Sequence, residues 1–332
     1  MPHQPKALYQ KRKIRLAIAI QGGGARGGYA WGVLTGVLRH LERNKALGDF
    51  ELVAISGASI GALNAAVFMD GYAEGGLKGA RRKLNRVWSV MSRSSMLAWL
   101  GDILVTGQSY LPAKHRMRCP VEMAINRVPL KRKGTKDEFE YTAVDFERIN
   151  RTKEPRLYIS TSHPEDWSHG QGRIFTNEDV TLDAVVASCS LKEMFAPVDI
   201  DGEPYVDGGD VSNPPLLPLV AEARADVIVT ILLGDITADN HYFNTYREEK
   251  LRMASWLKQH GRHVHMITVD LEELHQQHNL RTSRIDRKMI ALLYKAGRDS
   301  ARRIVQSMIN YADDLQKSQT SRRRWLRIIQ RN

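Results

Sequence analysis

Cysteine is scarce in this chain, because Cys119 and Cys189 are the only two among 332 residues. Two cysteines exclude a disulfide scaffold and any cysteine-rich zinc or iron–sulfur site. Long apolar runs are missing as well: no stretch approaches the ~18–20 apolar residues of a membrane-spanning helix. The run from Ile14 to Ile20 is interrupted by Arg15 and is too short for a cleaved signal peptide. We therefore expect a cytoplasmic protein with neither a signal peptide nor a transmembrane helix.

The charge of the chain is strongly positive. Lys and Arg number 49 against 37 Asp and Glu, a formal net charge of +12, while 42% of the residues are hydrophobic. This composition predicts a folded chain of one large or two ordinary domains. The charge favours anionic partners such as lipid headgroups, acidic substrates or nucleic acid. We expect no nucleic-acid partner, because the sequence contains no zinc finger, RNP-type aromatic strand or defensible helix-turn-helix.

The first 72 residues alternate between short apolar runs and helical patterns. Strands are predicted at 14–21 and 50–56, and helices at 30–43 and 61–72. This order is typical of a parallel sheet with crossover helices. Farther along, the same reasoning predicts strands at 156–162 and 227–233 and helices at 83–99, 182–190, 242–260 and 283–315.

A glycine loop follows the first predicted strand and reads Gly22-Gly23-Gly24-Ala25-Arg26-Gly27. Backbone N–H groups at such a loop can cradle a pyrophosphate, as in dinucleotide-binding folds. They can equally form an oxyanion hole for a tetrahedral intermediate. A plain tight turn is the third interpretation, and the loop alone does not decide among them.

A Gly-x-Ser-x-Gly string lies between the second predicted strand and the next helix. It reads Gly57-Ala58-Ser59-Ile60-Gly61, and strand before with helix after is the context of a nucleophile elbow. The Ile60 N–H would point into the same site as the Ser59 hydroxyl. Because adjacent parallel strands end at one edge of a sheet, the glycine loop and Ser59 are expected to lie together.

A serine nucleophile needs a base, and two arrangements compete. A Ser-Asp-His triad needs a downstream histidine, but none stands in a recognisable strand-end turn. We interpret the stretch that holds His260, His263 and His265 as solvated surface. The other arrangement is a Ser–Asp dyad with Asp207, which Gly208 and Gly209 follow. Asp-Gly-Gly is also simply a good turn. The other histidines weighed for the triad are His241, His275 and His278.

Taken together and in this order, the three motifs resemble those of the patatin-like phospholipase family, in its bacterial branch. The resemblance covers roughly 16–234 and includes Ala187-Ser188 and the phrase from Phe195 to Val198 that lead to the aspartate. It implies an α/β fold, a three-layer α/β/α sandwich with a mostly parallel central sheet. It also implies an acyl-ester hydrolase acting on lipids, of phospholipase A or lysophospholipase type.

By this resemblance Ser59 is the nucleophile and Asp207 its base, and no histidine is required. The glycine loop and the Ile60 N–H are then the oxyanion hole, with Gly23 and Gly24 as the best donors. No metal and no cofactor is expected. The resemblance also includes the glycines beside Ser59 and Asp207, which are Gly57, Gly61, Gly208 and Gly209. At position 60 many members of the family carry a small residue, whereas this chain has Ile60.

The predicted domain organisation has four parts. A basic extension at 1–13 precedes a catalytic domain at 14–234, with a lid or insertion at 101–155. A helical part at 235–320 packs on that domain. The tail at 321–332 mixes Arg with Trp325, Leu326, Ile328 and Ile329, which suggests either peripheral contact with an anionic membrane or a frayed end. Rival functions are an acyltransferase that uses Ser59 and a non-catalytic module that binds nucleotide or lipid.

Overall fold

The computed structural model describes residues 12–92, 118–119, 121–126, 128–132, 139–164, 172–234, 241–278 and 287–329. In these ranges the strands are β1 Ile14–Ile20, β2 Phe50–Gly57, β3 Val128–Arg132, β4 Phe139–Thr142, β5 Arg156–Ser162, β6 Ile174–Thr176, β7 Val198–Ile200, β8 Glu203–Asp207, β9 Val227–Ile231 and β10 His265–Val269. The helices are α1 Gly27–Arg43, α2 Ile60–Met91, α3 Val121–Asn126, α4 Phe146–Arg151, α5 Leu182–Ser188, α6 Leu217–Ala221, α7 His241–Gln259, α8 Glu272–His278 and α9 Arg287–Ile329.

One central sheet has the strand order β10-β9-β1-β2-β5-β8-β7, with β6 beside β5. The five strands from β10 to β5 in this order are parallel, whereas β6 and β8 each run antiparallel to β5 and β7 runs antiparallel to β8. The strands β3 and β4 form a separate antiparallel pair. The prediction of a mostly parallel central sheet is therefore confirmed.

Side chains of successive strand residues enter two cores, because they alternate between the faces of a sheet. In β1, Leu16, Ile18 and Ile20 join the larger core, which also contains buried residues of α1, α2 and α9. Ala17 and Ala19 face the opposite core, which α6 and α7 cover. Helices thus lie on both faces of the sheet, which confirms the predicted α/β/α architecture.

The α2 helix joins two predicted helices into one element. It runs from Ile60 to Met91, with non-helical backbone angles at Gly75 and Gly76. Residues 93–99 of the second predicted helix lie outside the described residues. Beside the kink the buried carboxylate of Asp70 contacts the buried Lys83 and, at 2.7 Å, Arg148 of α4. This ion group ties both halves of α2 to α4, which lies within the predicted insertion at 101–155.

The chain after residue 234 is part of the same layers. An ideal Cβ on Gly297 of α9 would lie only 2.2 Å from the Tyr29 carbonyl oxygen of α1, so the two helix backbones are in direct contact. The strand β10, which sequence analysis did not predict, pairs with β9 at the edge of the sheet. Its first residue is His265, whose ring stacks on Tyr311 at a centroid distance of 4.6 Å. The interpretation of His265 as solvated surface was therefore wrong.

Several predicted segments lie wholly or partly outside the described residues. These are 1–11 of the basic extension, 101–117, 120, 127 and 133–138 of the predicted insertion, 235–240 and 279–286 of the predicted helical part, and 330–332 of the tail. Among the helices that the structure describes, none is both long enough and apolar enough to cross a membrane.

Candidate active site

The three sequence motifs meet at the carboxyl edge of the parallel strands. Ile20, the last residue of β1, pairs with Gly57, the last residue of β2, so the glycine loop and the Ser59 turn leave the sheet side by side. Gly57 pairs in turn with Ile159 of β5, and Thr161 pairs with Asp207. The register of β1, β2, β5 and β8 therefore brings distant motifs to one place.

Ser59 occupies a strained turn between β2 and α2. Its φ of 54° and ψ of −127° are unusual for a residue other than glycine. Such a conformation costs on the order of 1–3 kcal/mol and persists only when the surroundings enforce it. The Ser59 N–H donates to Ser188 Oγ at 3.0 Å, and that hydroxyl donates to the Ser160 carbonyl at 2.7 Å. The helix α5 and the strand β5 thus hold the turn in place.

The glycine loop packs directly against this turn. An ideal Cβ on Gly22 would lie 2.9 Å from Ser59 Cβ, so a larger residue at 22 would displace the serine. The Gly22 N–H donates to Asn213 Oδ1 at 2.7 Å. The N–H groups of Arg26 and Gly27 donate to carbonyls within the loop. These three N–H groups are therefore not available to a bound oxyanion.

Other N–H groups at the same place remain open. No described residue accepts a hydrogen bond from the N–H of Gly23, Gly24 or Ile60. Ile60 is the first residue of α2, where N–H groups lack an acceptor within the helix. Unpaired N–H groups of this kind attract an oxygen that carries negative charge.

Asp207 ends β8 and is buried, with 3% of its surface exposed. Its Oδ1 accepts the Gly209 N–H at 2.8 Å, whereas the buried Oδ2 has no hydrogen-bond partner among the described residues. Burial raises the pKa of Asp207 to about 7; the Ser59 hydroxyl and the Gly209 N–H oppose this shift, and the nearby Asp210 and Glu193 add to it.

The Ser59 hydroxyl and Asp207 are neighbours without a formed hydrogen bond. The hydroxyl is close enough to lower the pKa of the carboxyl, but no bond within the usual distance and angle limits joins the two side chains. Such contacts are often long in the absence of substrate and shorten when substrate binds. The geometry is suited to transfer of a proton from Ser59 to Oδ2.

Those histidines of a possible triad whose side chains the structure describes lie away from Ser59. His265 pairs with Val227, the first residue of β9, and so lies at the amino end of these strands, opposite Ser59. His260 stacks on Trp256 near the end of α7, and the exposed His263 follows it. In the described ranges no group of three or more His, Cys, Asp and Glu side chains is placed to hold a metal ion.

Two asparagines belong to this arrangement and were missed by the sequence analysis. Asn213 holds Gly22, as described above. The buried Asn64 donates to the Ile60 carbonyl at 3.2 Å and accepts from Trp88 Nε1 at 2.8 Å. Its position four residues after Ile60 on a helix of small apolar residues is the only local signal, whereas nothing local marks Asn213.

Comparison with known proteins adds the family. The family model described as patatin-like phospholipase matches residues 18–220, more than half of the chain. The crystal structure of VipD from Legionella pneumophila matches with 16% sequence identity over 90% of this chain and 67% of that one, at a TM-score of 0.43. No curated protein matches. On the family match and the mostly parallel sheet described above, the chain belongs to the patatin-like phospholipase family.

Proposed function

We propose that this protein hydrolyses acyl esters of lipids, of the phospholipase A or lysophospholipase type, with Ser59 as nucleophile and Asp207 as base. Membership of the family implies a lipid acyl hydrolase. The observation that carries the assignment is the buried, unpartnered Oδ2 of Asp207 beside a serine on a strained turn. A carboxylate near pKa 4 is a weak base, and a pKa near 7 brings it closer to the working range.

The reaction begins when Ser59 Oγ attacks the ester carbonyl and its proton passes to Asp207 Oδ2. The negative charge that develops on the carbonyl oxygen is stabilised by the open N–H groups of Gly23, Gly24 and Ile60. Collapse of this intermediate breaks the ester bond, and the leaving alcohol takes the proton from Asp207. Water then attacks the acyl-enzyme, Asp207 accepts its proton, and the same proton returns to Ser59 as the fatty acid leaves.

Labelling with a fluorophosphonate serine probe tests this proposal. We expect the native protein to be labelled and both Ser59→Ala and Asp207→Asn to lose labelling. The control is Ser190→Ala, since the buried Ser190 hydroxyl donates to the Val186 carbonyl of α5. The Asp207 N–H donates to the Ser190 backbone carbonyl, which this substitution keeps. Labelling that survives Asp207→Asn would assign the base to another residue. An unlabelled native protein would refute the proposal in favour of a binding role for the glycine loop.

Analysis of products separates hydrolysis from acyl transfer. The native protein is incubated with a phospholipid or a lysophospholipid, with and without an added alcohol acceptor. We expect free fatty acid in both cases, dependent on Ser59. Formation of a new ester in place of fatty acid would instead identify an acyltransferase.

We further propose that the end of α9 contacts an anionic lipid surface. Among the α9 residues whose side chains the structure describes, Ala312 is the last buried one and Gln316 to Ser318 are exposed. The helix continues to Ile329. Residues 322–327 include four arginines. A basic helical segment with interspersed apolar residues favours binding at the boundary of anionic headgroups and acyl chains.

A further inference from the structure

The side chain of Asn213 joins the glycine loop to the segment that carries Asp207. It is fully buried, and its Oδ1 accepts the Gly22 N–H at 2.7 Å. Its Nδ2 is buried as well and has no hydrogen-bond partner among the described residues. A buried amide that uses only its oxygen is a poor contributor to stability, since the unpaired donor loses its hydration. The residue therefore calls for an explanation other than stability.

The backbone of Asn213 is anchored to the turn after Asp207. The N–H groups of Val211 and Ser212 both donate to the Gly208 carbonyl, at 3.2 and 3.0 Å. The Ser212 carbonyl accepts from Ser160 Oγ of β5 at 2.8 Å. The seven residues from Asp207 to Asn213 thus form one braced unit, with the carboxylate at one end and the Asn213 oxygen at the other.

Gly22, the residue that Asn213 holds, packs tightly against Ser59. An ideal Cβ on Gly22 would lie 2.9 Å from Ser59 Cβ and 3.3 Å from Asn213 Oδ1. Gly23 and Gly24 follow directly, and their N–H groups are the open ones. A displacement of Gly22 would therefore move the open N–H groups relative to the Ser59 hydroxyl.

We propose that Asn213 is a positioning residue that sets the glycine loop relative to Ser59 and Asp207. This inference rests on the proposed function, since it assigns the glycine loop to oxyanion binding. The hydrogen bond from the Gly22 N–H to Asn213 Oδ1 links the glycine loop to the segment that carries Asp207. The segment from Asp207 to Asn213 therefore positions both the glycine loop and the base relative to Ser59. Asn213 acts through Gly22 and needs no contact with the substrate.

The chain offers a matched control in Asn177. This buried asparagine accepts the Leu157 N–H at 2.6 Å and donates to the Thr152 and Pro155 carbonyls at 2.7 and 3.1 Å. It lies beside the amino end of β5, whereas the Ser59 turn lies at the carboxyl edge. Asn177→Ala removes three hydrogen bonds and Asn213→Ala removes one. A structural role alone predicts that Asn177→Ala is the more damaging change.

The experiment measures the second-order rate of fluorophosphonate labelling, kcat and KM for a lysophospholipid, and the melting temperature. For Asn213→Ala we expect the labelling rate and kcat to fall on the order of 10²-fold, as for loss of an oxyanion donor, with KM changed by less than about threefold. For Asn177→Ala we expect a lower melting temperature with labelling within about threefold of native.

Asn213→Asp supplies the second variant, because it keeps an oxygen for the Gly22 N–H. We expect it to recover at least about tenfold in labelling over Asn213→Ala.

Labelling of Asn213→Ala within about threefold of the native rate would overturn the inference while leaving the proposed function intact. If Asn213→Ala does not fold, Asn213→Leu replaces it, because leucine fills a similar volume without an acceptor for the Gly22 N–H. Labelling slower than native on the order of 10²-fold would support the role, and labelling within about threefold of native would overturn it. An unlabelled native protein would refute the proposed function and this inference with it.

Discussion

Replacing Asp207 with asparagine should abolish activity and stabilise the fold at about pH 8. There the avoided cost of the buried charge, about 4 kcal/mol, exceeds the ~1–3 kcal/mol cost of an unpaired Nδ2 donor. The carboxyl is buried, its Oδ2 has no hydrogen-bond partner among the described residues, and its pKa is raised from 3.8 to about 7. Asparagine has the same shape and keeps an oxygen for the Gly209 N–H that Oδ1 now accepts. The substitution therefore removes the cost of burying a charge and retains the one hydrogen bond of the side chain.

The gain in stability depends on pH. Below about pH 3 the carboxyl is mostly protonated in both folded and unfolded chains, so its ionisation contributes almost nothing. As pH rises toward 7 the Asp207 carboxyl ionises in the unfolded chain but stays largely protonated in the folded one. The native protein therefore loses stability relative to the variant. This loss is about 2 kcal/mol at pH 5 and levels off at about 4 kcal/mol above pH 8.

Urea unfolding of the native protein and of Asp207→Asn at pH 5 and pH 8 measures this effect. Comparing the two proteins at each pH cancels the contributions of all other titrating groups. We expect the advantage of the variant in unfolding free energy to grow by about 2–3 kcal/mol between the two pH values. An advantage that is the same at both would refute the elevated pKa of Asp207 and with it the argument for this residue as base.

Three further predictions concern the reaction, the turn and the tail. Activity should rise with pH through a midpoint near 7, because Asp207 must be ionised to accept a proton; a profile flat from pH 5 to 9 would contradict this. Ser188→Ala removes the acceptor of the Ser59 N–H, so it should destabilise the protein by about 1–3 kcal/mol and slow labelling. The control Ser190→Ala should leave labelling unchanged. Equal labelling rates of the two variants would argue against a role of Ser188 in holding the Ser59 turn. Replacing the four arginines of 322–327 with glutamine should weaken the free energy of binding to anionic vesicles, measured by sedimentation, by about 1 kcal/mol per arginine. Labelling by a soluble probe should not change. Equal binding of the native protein to zwitterionic and anionic vesicles would contradict the proposed contact with anionic lipid.

Local patterns were sufficient for the elements around the candidate site. The strand 156–162 was predicted at the bounds that β5 has, and β1 and β2 differ from prediction by one residue at one end. These are buried strands with dense apolar runs, so their sequence carries a strong signal. The edge strand β10 carries a weak signal, because it has only five residues and only Ile267 and Val269 among them are buried.

The sequence by itself determined which residues could carry the chemistry. Ser59 between a strand and a helix, the glycine loop and Asp207 each require particular residue types in a particular local order, and such requirements are readable along the chain. The tertiary structure alone decided the rest. Tertiary packing buries Asp207 and so raises its pKa. Two hydrogen bonds of the site also join segments more than 100 residues apart: the one from the Ser59 N–H to Ser188 Oγ and the one from the Gly22 N–H to Asn213 Oδ1. Contacts of that separation depend on strand order and register, which no local pattern encodes.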